Sequence, residues 1–267
     1  MKTIFALAGL VLTLCPISPA QDDTGNRIVI PARNSSRPRK VTAHVIHGSI
    51  TVKAYTGKDV IVEESGSANR GRTSPTPPGM RRIDLPRGIN VEEQDNLITI
   101  KASPMGSGSL VITVPTDTSL DLNSLNSAIT VEGVNGEIVV EANNGKIALT
   151  NISGNVLAHS LNGAIIVSMD AVDPAKPLSF VTLNGTIDVT FPQNFKANVK
   201  ASTYNGHIYT DFDFKLGGGS ITQSNNTSDG KFRVTMGENG WSGTINGGGP
   251  EATFKSHNGT IYIRKKK

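Results

Sequence analysis

One short motif recurs along the chain and constrains its fold more than any other feature of the sequence. The motif reads Asn-Gly, a variable residue, an aliphatic residue, a second variable residue and a second aliphatic residue, as in NGEIVV and NGAIIV. Its second position falls every nine residues in the middle of the chain and returns later, at Ser127, Gly136, Gly145, Gly154, Gly163, Gly185, Gly206, Gly243 and Gly259. Such regular spacing indicates an architecture of repeated units that pack on one another.

Each copy of the motif predicts a turn followed by a short β-strand. Glycine adopts a positive φ without steric cost and asparagine tolerates it, so we expect sharp turns at the Asn-Gly pairs. Alternate side chains of the strand then share a face, so Ile147 should point inward and Lys146 outward. The predicted structural turn positions are Asn135, Gly136, Asn144, Gly145, Asn162, Gly163, Asn184, Gly185, Asn205, Gly206, Asn258 and Gly259.

Two architectures would bury the aliphatic faces of these strands. In a β-meander the Asn-Gly pairs form hairpin turns, and in a parallel solenoid they form corners that stack from coil to coil. The spacing lengthens from Gly163 to Gly185 and again to Gly206, which a coil of 18 to 22 residues accommodates better than a meander. We therefore predict an all-β fold, a single-stranded parallel β-helix (solenoid) built from Asn-Gly-x-Ile-x-Val repeats, whose corner asparagines form a hydrogen-bonded ladder.

The first 20 residues have the layout of a secretory signal peptide. Lys2 precedes an apolar stretch that ends at Leu14, and small residues lead to a cleavage site after Ala20. The apolar stretch is too short to span a membrane. Lipoprotein anchoring through Cys15 is the less favoured alternative, because Leu14 is larger than the residue expected there. We expect an exported protein, periplasmic, cell-surface or extracellular, with no transmembrane segment in the mature chain.

The mature chain would contain no cysteine, since Cys15 is the only one in the sequence. This excludes a disulfide scaffold, a thiol enzyme and a thiolate metal site. We interpret residues 21–40 as a linker or loosely docked arm and residues 41–267 as the solenoid domain. An Arg/Pro-rich loop interrupts the strand pattern at about 64–88 and is expected to be exposed to solvent.

The C-terminal residues 240–267, GWSGTINGGGPEATFKSHNGTIYIRKKK, resemble the closing segment of the putative-adhesin β-strand-repeat family of exported bacterial proteins. STYNGHIYTDFDF and VTLNGTIDV are similar to the internal repeats of that family. The resemblance covers residues 41–267 and implies a β-solenoid, a surface used for adhesion, and no catalytic residues to carry over. The Arg/Pro-rich loop departs from the simplest members and leaves open an added binding role.

The sequence offers weak candidates for chemistry. Asp211 and Asp213 would share a face if their segment is a strand, but no partner for catalysis stands near them. No phosphate-binding loop or nucleophile elbow is found. Four histidines fall near motif turns without the spacing of a metal site, and we expect them to be exposed or satisfied: His47, His159, His207 and His257. We predict no enzyme activity, no cofactor and no metal.

Basic residues give the remaining signal for a ligand. Arg70, Arg72, Arg81 and Arg82 lie in the Arg/Pro-rich loop, and guanidinium groups bind phosphate and carboxylate in bidentate fashion. These four arginines are our candidates for anionic-ligand binding. The simpler interpretation is that they are solvent-exposed loop charges with no ligand. Partners would be an anionic envelope polymer, lipid headgroups or a surface protein; nucleic acid is disfavoured because export is predicted and aromatic residues are few.

The sequence thus favours an exported non-enzymatic β-solenoid that presents a surface for adhesion or cell-envelope interaction. One alternative is a polysaccharide-active enzyme on a β-helix, which should bring carboxylates together in a groove. Another is an envelope-stress accessory protein that binds a protein partner.

Overall fold

The computed structural model describes residues 27–33, 38–65, 88–102, 108–217, 221–224, 233–236 and 240–267. This part of the chain is all-β. Its first strands are β1 Arg27–Ile30, β2 Arg39–Val45, β3 Ile50–Tyr55, β4 Val60–Ser65, β5 Ile89–Gln94, β6 Leu97–Ala102, β7 Ser109–Pro115, β8 Thr118–Ser124, β9 Ile129–Glu132, β10 Asn135–Ala142 and β11 Ile147–Asn162. The others are β12 Ile165–Val172, β13 Leu178–Asn184, β14 Ile187–Phe191, β15 Ala197–Asn205, β16 Ile208–Thr210, β17 Phe214–Leu216, β18 Ile221–Ser224, β19 Arg233–Met236, β20 Gly240–Ile245, β21 Glu251–Asn258 and β22 Ile261–Lys265.

The strands form two faces that enclose the core. The front face runs in the order β5, β6, β2, β8, β10, the second half of β11, β13, β21, β15, β20 and β17. The back face runs β1, β4, β7, β3, β9, the first half of β11, β12, β14, β22 and β16. Pairing is parallel through the middle of both faces and antiparallel only toward their ends. The fold is therefore solenoid-like, in which one front strand and the back strand that follows it make one layer.

The chain turns at two corners in every complete layer. At the asparagine corner it passes from the front strand to the back strand, and at the return corner it goes back to the front of the next layer. β11 shows the return without a break in the strand, because Asn151 (φ 54°) and Gly154 (φ 108°) bend it between the two faces. Two corners per layer explain the nine-residue spacing, since half of an 18-residue layer separates successive turns.

The layers are not stacked in the order of the sequence. The β2–β3 layer lies between the layers of β6–β7 and β8–β9. At the other end, the last strands of the chain, β21 and β22, lie between the β13–β14 layer and the β15–β16 layer. Gly185 and Gly206 are consecutive in the 21- to 22-residue spacing of the motif, but in the stack they are separated by Gly259.

Inward-facing side chains from both faces fill the core. Most are Ile, Val and Leu, and every second residue of the central strands is buried. Ile147 has no exposed surface, whereas its neighbour Lys146 is exposed. Toward the C-terminal layers the core becomes aromatic: Phe180 stacks on Phe254 at 5.2 Å, and both rings meet Phe191 edge-on.

Asparagine side chains form a continuous ladder at the asparagine corner. Each side-chain amide after that of Asn126 donates from Nδ2 to Oδ1 of the asparagine in the adjacent layer, over distances of 2.7 to 3.0 Å. The order of the ladder is Asn126, Asn144, Asn162, Asn184, Asn258 and Asn205. Asn135 belongs to the return corner instead, where its amide donates to Asp117 at 2.8 Å. The ladder satisfies polar groups that would otherwise stack unpaired from layer to layer.

A second row of hydrogen bonds runs beneath the ladder. Hydroxyl groups two residues before the corner asparagines donate to glycine carbonyls of the adjacent layer: Thr182 to Gly163 at 3.1 Å and Thr203 to Gly259 at 2.8 Å. Ser256 makes the same bond to Gly185 at 3.1 Å. The repeat is therefore longer than the Asn-Gly motif, because a Ser or Thr two residues upstream also bonds across layers.

The corner glycines are required for close packing and not, as expected, for a positive φ. Gly145, Gly163, Gly185, Gly206 and Gly259 lie outside the left-handed region. A Cβ built on any of them would overlap a backbone carbonyl of the adjacent layer. The expectation of a positive φ at these glycines is therefore wrong. The chain turns without a left-handed residue at these positions, and glycine is needed there because the adjacent layer leaves no space for a side chain.

Gly163→Ala should destabilise the protein by about 1 to 3 kcal/mol, because the added methyl group meets the Gly145 carbonyl and forces two layers apart. The measurement is the midpoint of urea unfolding. Gly217→Ala is the matched control, since a Cβ there makes only ordinary van der Waals contact, and it should shift stability by less than about 1 kcal/mol. Equal losses in the two variants would contradict the steric role of Gly163.

Residues 27–30, predicted to lie in a linker or loosely docked arm, form β1 and pair antiparallel with β4. The predicted signal peptide at 1–20 and nearly all of the Arg/Pro-rich loop lie outside the described residues. Within the described part of the chain, no helix is present that could cross a membrane.

Candidate interaction surface

Aromatic side chains gather on the outside of the two C-terminal layers, around the asparagine corner. We call this group the aromatic corner and define it by Tyr204, His207, Tyr209, His257, Tyr262 and Arg264. The first three come from β15, the loop after it and β16. His257 comes from β21, and Tyr262 and Arg264 come from β22. Insertion of the last layer beside the β15–β16 layer therefore creates the group.

The rings stack because the two layers pair in register. Asn205 is the partner of Asn258, so the residues before them, Tyr204 and His257, face each other with ring centroids 5.0 Å apart and planes 3° from parallel. Tyr209 pairs with Tyr262, and their rings stack at 5.4 Å and 16°. The corner thus holds two stacked ring pairs, one on each side of the Asn-Gly turn, and such pairs stabilise each other beyond simple burial.

Arg264 extends the second ring pair. Its guanidinium lies 4.6 Å from the Tyr262 ring centre and binds both carboxylate oxygens of Asp188, at 2.7 and 3.1 Å. The hydrogen bond and charge of Asp188 raise the pKa of Arg264, so the group stays cationic. Because Asp188 balances its charge, Arg264 contributes a flat guanidinium group over the Tyr262 ring and no unpaired positive charge.

The row that holds Tyr204 and His257 continues along the ladder with apolar side chains and one polar interruption, the exposed Asn143 between Leu125 and Leu161. Side chains immediately before the ladder asparagines point outward, and three of these are exposed leucines: Leu125, Leu161 and Leu183. Tyr204 occupies the same position at the end of the row and is 66% exposed; Tyr209, across the corner, is 52% exposed. Exposed apolar rows of this kind mark interaction sites.

A groove runs along the return corner on the opposite edge of the solenoid. It consists of two adjoining cavities of about 340 and 420 Å³ that share Ala171, Val172 and Pro174. Three carboxylates line it among the described residues, and each is engaged: Glu137 with Lys176 at 2.9 Å, Asp170 with Lys266 at 2.6 Å, and Asp173 with the Ala175 amide at 2.9 Å. The pKa of Lys176 is raised by its bond to Glu137, so that ion pair is maintained. Each of these three carboxylates is thus already held by a cation or a backbone amide.

The predicted site residues are distributed as follows. Arg70, Arg72, Arg81 and Arg82 lie outside the described residues. Asp211 and Asp213 do not lie on a strand, and Asp211 accepts a hydrogen bond from the Lys265 backbone amide at 2.7 Å, which makes it a structural residue.

The histidines are spread over the surface. His159 lies 3.4 Å from the Ser179 hydroxyl, His257 stacks on Tyr204, and His207 is 6.0 Å from Tyr209, tilted by 50°. Within the ranges that the structure describes, no three His, Cys, Asp or Glu side chains are placed to hold a metal ion.

The sequence reasoning missed the aromatic corner, although the sequence carries a signal for it. Aligning YNGHIYT at 204–210 with HNGTIYI at 257–263 places Tyr204 over His257 and Tyr209 over Tyr262. That alignment would have suggested ring pairs if these two copies had been taken as neighbouring layers. The spacing of the motif gives no sign that these two copies are neighbours, because Gly206 and Gly259 are 53 residues apart.

Three comparisons with known proteins place the chain beside one family and two solved structures. A family model described as Toastrack DUF4097 matches residues 101–246, more than half of the chain. A crystal structure of a putative cell adhesion protein from Clostridium sporogenes is similar with a TM-score of 0.45 and 12% identity, over 90% of this chain and 99% of that one. A putative adhesin from Bacteroides fragilis has a TM-score of 0.35 and 11% identity, over 91% and 98% of the two chains. No curated protein matches the sequence.

Proposed function

The chain belongs to the Toastrack DUF4097 family, and from this premise we propose that it is an exported, non-enzymatic β-solenoid whose aromatic corner binds cell-envelope or cell-surface material. The proposal includes the signal peptide at 1–20, the solenoid domain at 41–267 and its construction from Asn-Gly-x-Ile-x-Val repeats as a single-stranded parallel β-helix.

The observation that carries the proposal is the exposure of rings that are already stacked. Tyr204 and Tyr209 keep more than half of their surface in solvent, whereas phenylalanines of the same C-terminal layers, such as Phe254, are buried. Each ring is held by a neighbour, Tyr204 by His257 and Tyr209 by Tyr262, so little side-chain freedom remains to be lost on binding. Rigid exposed tyrosines are frequent anchors in protein interfaces.

The electrostatics of the corner indicate how it would bind. Arg264 is paired with Asp188, and Lys200 in the adjacent β15–β16 layer is paired with Glu251 at 2.7 Å. Binding would therefore rest on stacking and on hydrogen bonds from tyrosine hydroxyls and asparagine amides, with little dependence on salt. Flat faces and hydroxyl partners suit the sugar rings and peptide planes of envelope polymers.

The alternative of a polysaccharide-active enzyme is less well supported, because the carboxylates of the groove are engaged in ion pairs and hydrogen bonds. An envelope-stress accessory protein that binds a protein partner would use the same aromatic corner. Anionic-ligand binding by Arg70, Arg72, Arg81 and Arg82 stays a prediction, and it differs in one respect: it should weaken as salt increases.

The double variant Tyr204→Ala/Tyr209→Ala should lose most of the retention that the mature chain shows on washed bacterial envelopes, by about tenfold or more, since two anchoring rings are removed. Wild type and variant are compared by co-sedimentation across a salt series, with circular dichroism to check folding. The matched control is Val29→Ala/Leu97→Ala, which trims exposed apolar side chains at the far end of the stack. Equal retention of all three proteins would refute the aromatic corner as the binding surface.

A further inference from the structure

The ladder of asparagine side chains runs in one direction and ends at Asn205. Every amide donates toward the layer of Asn126, and each internal Oδ1 atom accepts from the next asparagine, as that of Asn184 does from Asn258 at 2.7 Å. Asn205 donates to Asn258 at 2.7 Å, but its own Oδ1 atom receives no donor from the described part of the chain. Its side chain is therefore held at one end only.

The backbone at this last corner differs in the same way. Inside the stack, the glycine amide donates to an asparagine carbonyl of the next layer, at 3.0 Å for Gly163, Gly185 and Gly259. The Gly206 amide has no such acceptor among the described residues, and Gly206 is exposed whereas those three glycines are half-buried. The cause is the position of the layer, since β16 pairs with β22 on one side and with no other described strand.

The other Asn-Gly pair of the ladder is held by its side chain. Gly145 also has no acceptor for its amide among the described residues. Asn144 is nevertheless fixed at both ends, because it donates to Asn126 at 3.0 Å and accepts from Asn162 at 2.9 Å. A loosely held asparagine next to an exposed glycine amide is thus found, within the described ladder, only at Asn205.

Two described Asn-Gly pairs lie outside the ladder, and their side-chain amides are engaged. Asn135 donates to Asp117 at 2.8 Å. Asn246 donates to the backbone carbonyls of Gln193 and Phe195 at 3.2 and 2.8 Å. These bonds oppose the side-chain rotation that would bring Cγ of the asparagine to the amide nitrogen of the following glycine.

A free Asn-Gly pair can modify itself with water as the only reactant. The glycine amide nitrogen gives its proton to solvent base and bonds to Cγ of the asparagine. The Cγ–Nδ2 bond then breaks, and the nitrogen takes a proton from solvent and leaves as ammonia. Water opens the resulting succinimide ring to give aspartate or isoaspartate, with no oxidation or reduction. Glycine favours the ring closure because it has no side chain that hinders it.

We propose that Asn205 is a site of spontaneous deamidation, which places a negative charge on the aromatic corner and weakens its binding as the protein ages. A carboxylate has no proton to donate to Asn258, so the last bond of the ladder is lost beside the Tyr204–His257 ring pair. A partner packed on these rings would also have to desolvate the new charge. The modification is independent of the function proposed for the corner, whereas its effect on binding rests on that function.

The test compares rates of deamidation within the folded wild-type chain. The purified mature chain is incubated in mildly alkaline buffer, sampled over time, digested and analysed by mass spectrometry. We expect Asn205 to convert about tenfold faster, or more, than Asn162, Asn184 and Asn258, because those corners must first separate from the next layer. In the urea-unfolded chain the four pairs should convert at similar rates, which assigns the difference to the fold.

Equal rates at these four positions in the folded chain would overturn the proposal. So would faster conversion at Asn135, Asn144 or Asn246 than at Asn205.

Asn205→Asp reproduces one product and tests the consequence. It should be retained on washed envelopes less than wild type, whereas Asn194→Asp, an equal change at an exposed position of the return corner, should be retained like wild type. Unchanged retention of Asn205→Asp, with wild type bound, would contradict the effect on the corner. Absence of binding by wild type itself would refute the proposed function and leave the deamidation rates as a separate result.

Discussion

Ile147→Asp should destabilise the protein by more than about 4 kcal/mol, the largest effect we expect from a single substitution. Ile147 has no exposed surface and lies in the back face with Ile129 on one side and Ile165 on the other. The variant loses this packing and places a carboxylate among aliphatic side chains that offer no hydrogen bond. A loss of that size is comparable to the whole stability of many domains, so the protein should be partly unfolded at 25 °C or unfold at much lower urea.

Lys146→Asp is the matched control, because it introduces the same side chain one position earlier on the exposed side of the strand. Its unfolding free energy should stay within about 0.5 kcal/mol of wild type. Both variants are compared by urea unfolding followed by circular dichroism. Similar losses at the two positions would mean that the inward and outward faces of this strand are assigned incorrectly.

Phe254→Ala should cost about 3 to 5 kcal/mol, although it lies in the second-last strand of the chain. In a solenoid stacked in sequence order this strand would be in a terminal layer, where a cavity weakens one neighbour only. Here β21 lies between β13 and β15, and the ring stacks on Phe180 while meeting Phe191 edge-on. The variant should therefore leave a cavity between two layers.

Hydrogen exchange gives the decisive measurement for Phe254→Ala, since it reports on each strand separately. Backbone amides of β13 and of β15 should both lose protection. Lys255→Ala, the exposed neighbour, should change neither. Loss of protection confined to β15 and β21 would argue that the last layer is terminal and that the inserted order is incorrect.

The sequence alone was sufficient for the all-β class and for the parallel, solenoid-like arrangement. The alternation around Ile147 and Lys146 follows from the two-residue period of a strand, which is a local property. The nine-residue spacing fixes the size of a half layer in the same way. The steric need for glycine at the asparagine corner could not be predicted from the sequence. The close approach at Gly145 or Gly185 comes from the adjacent layer, which the local sequence does not identify.

Tertiary structure alone decided which copy of the repeat lies beside which. The copies share the same alternation, and most of them share the Asn-Gly pair, so the motif allows any layer to pair its backbone with any other, and spacing along the chain does not distinguish them. The choice depends on side chains that meet only after stacking, such as Phe254 against Phe180 and Asn258 between Asn184 and Asn205. The aromatic corner and the groove at the return corner both arise from contacts between separate layers. Their residues were visible in the sequence, but their proximity was not.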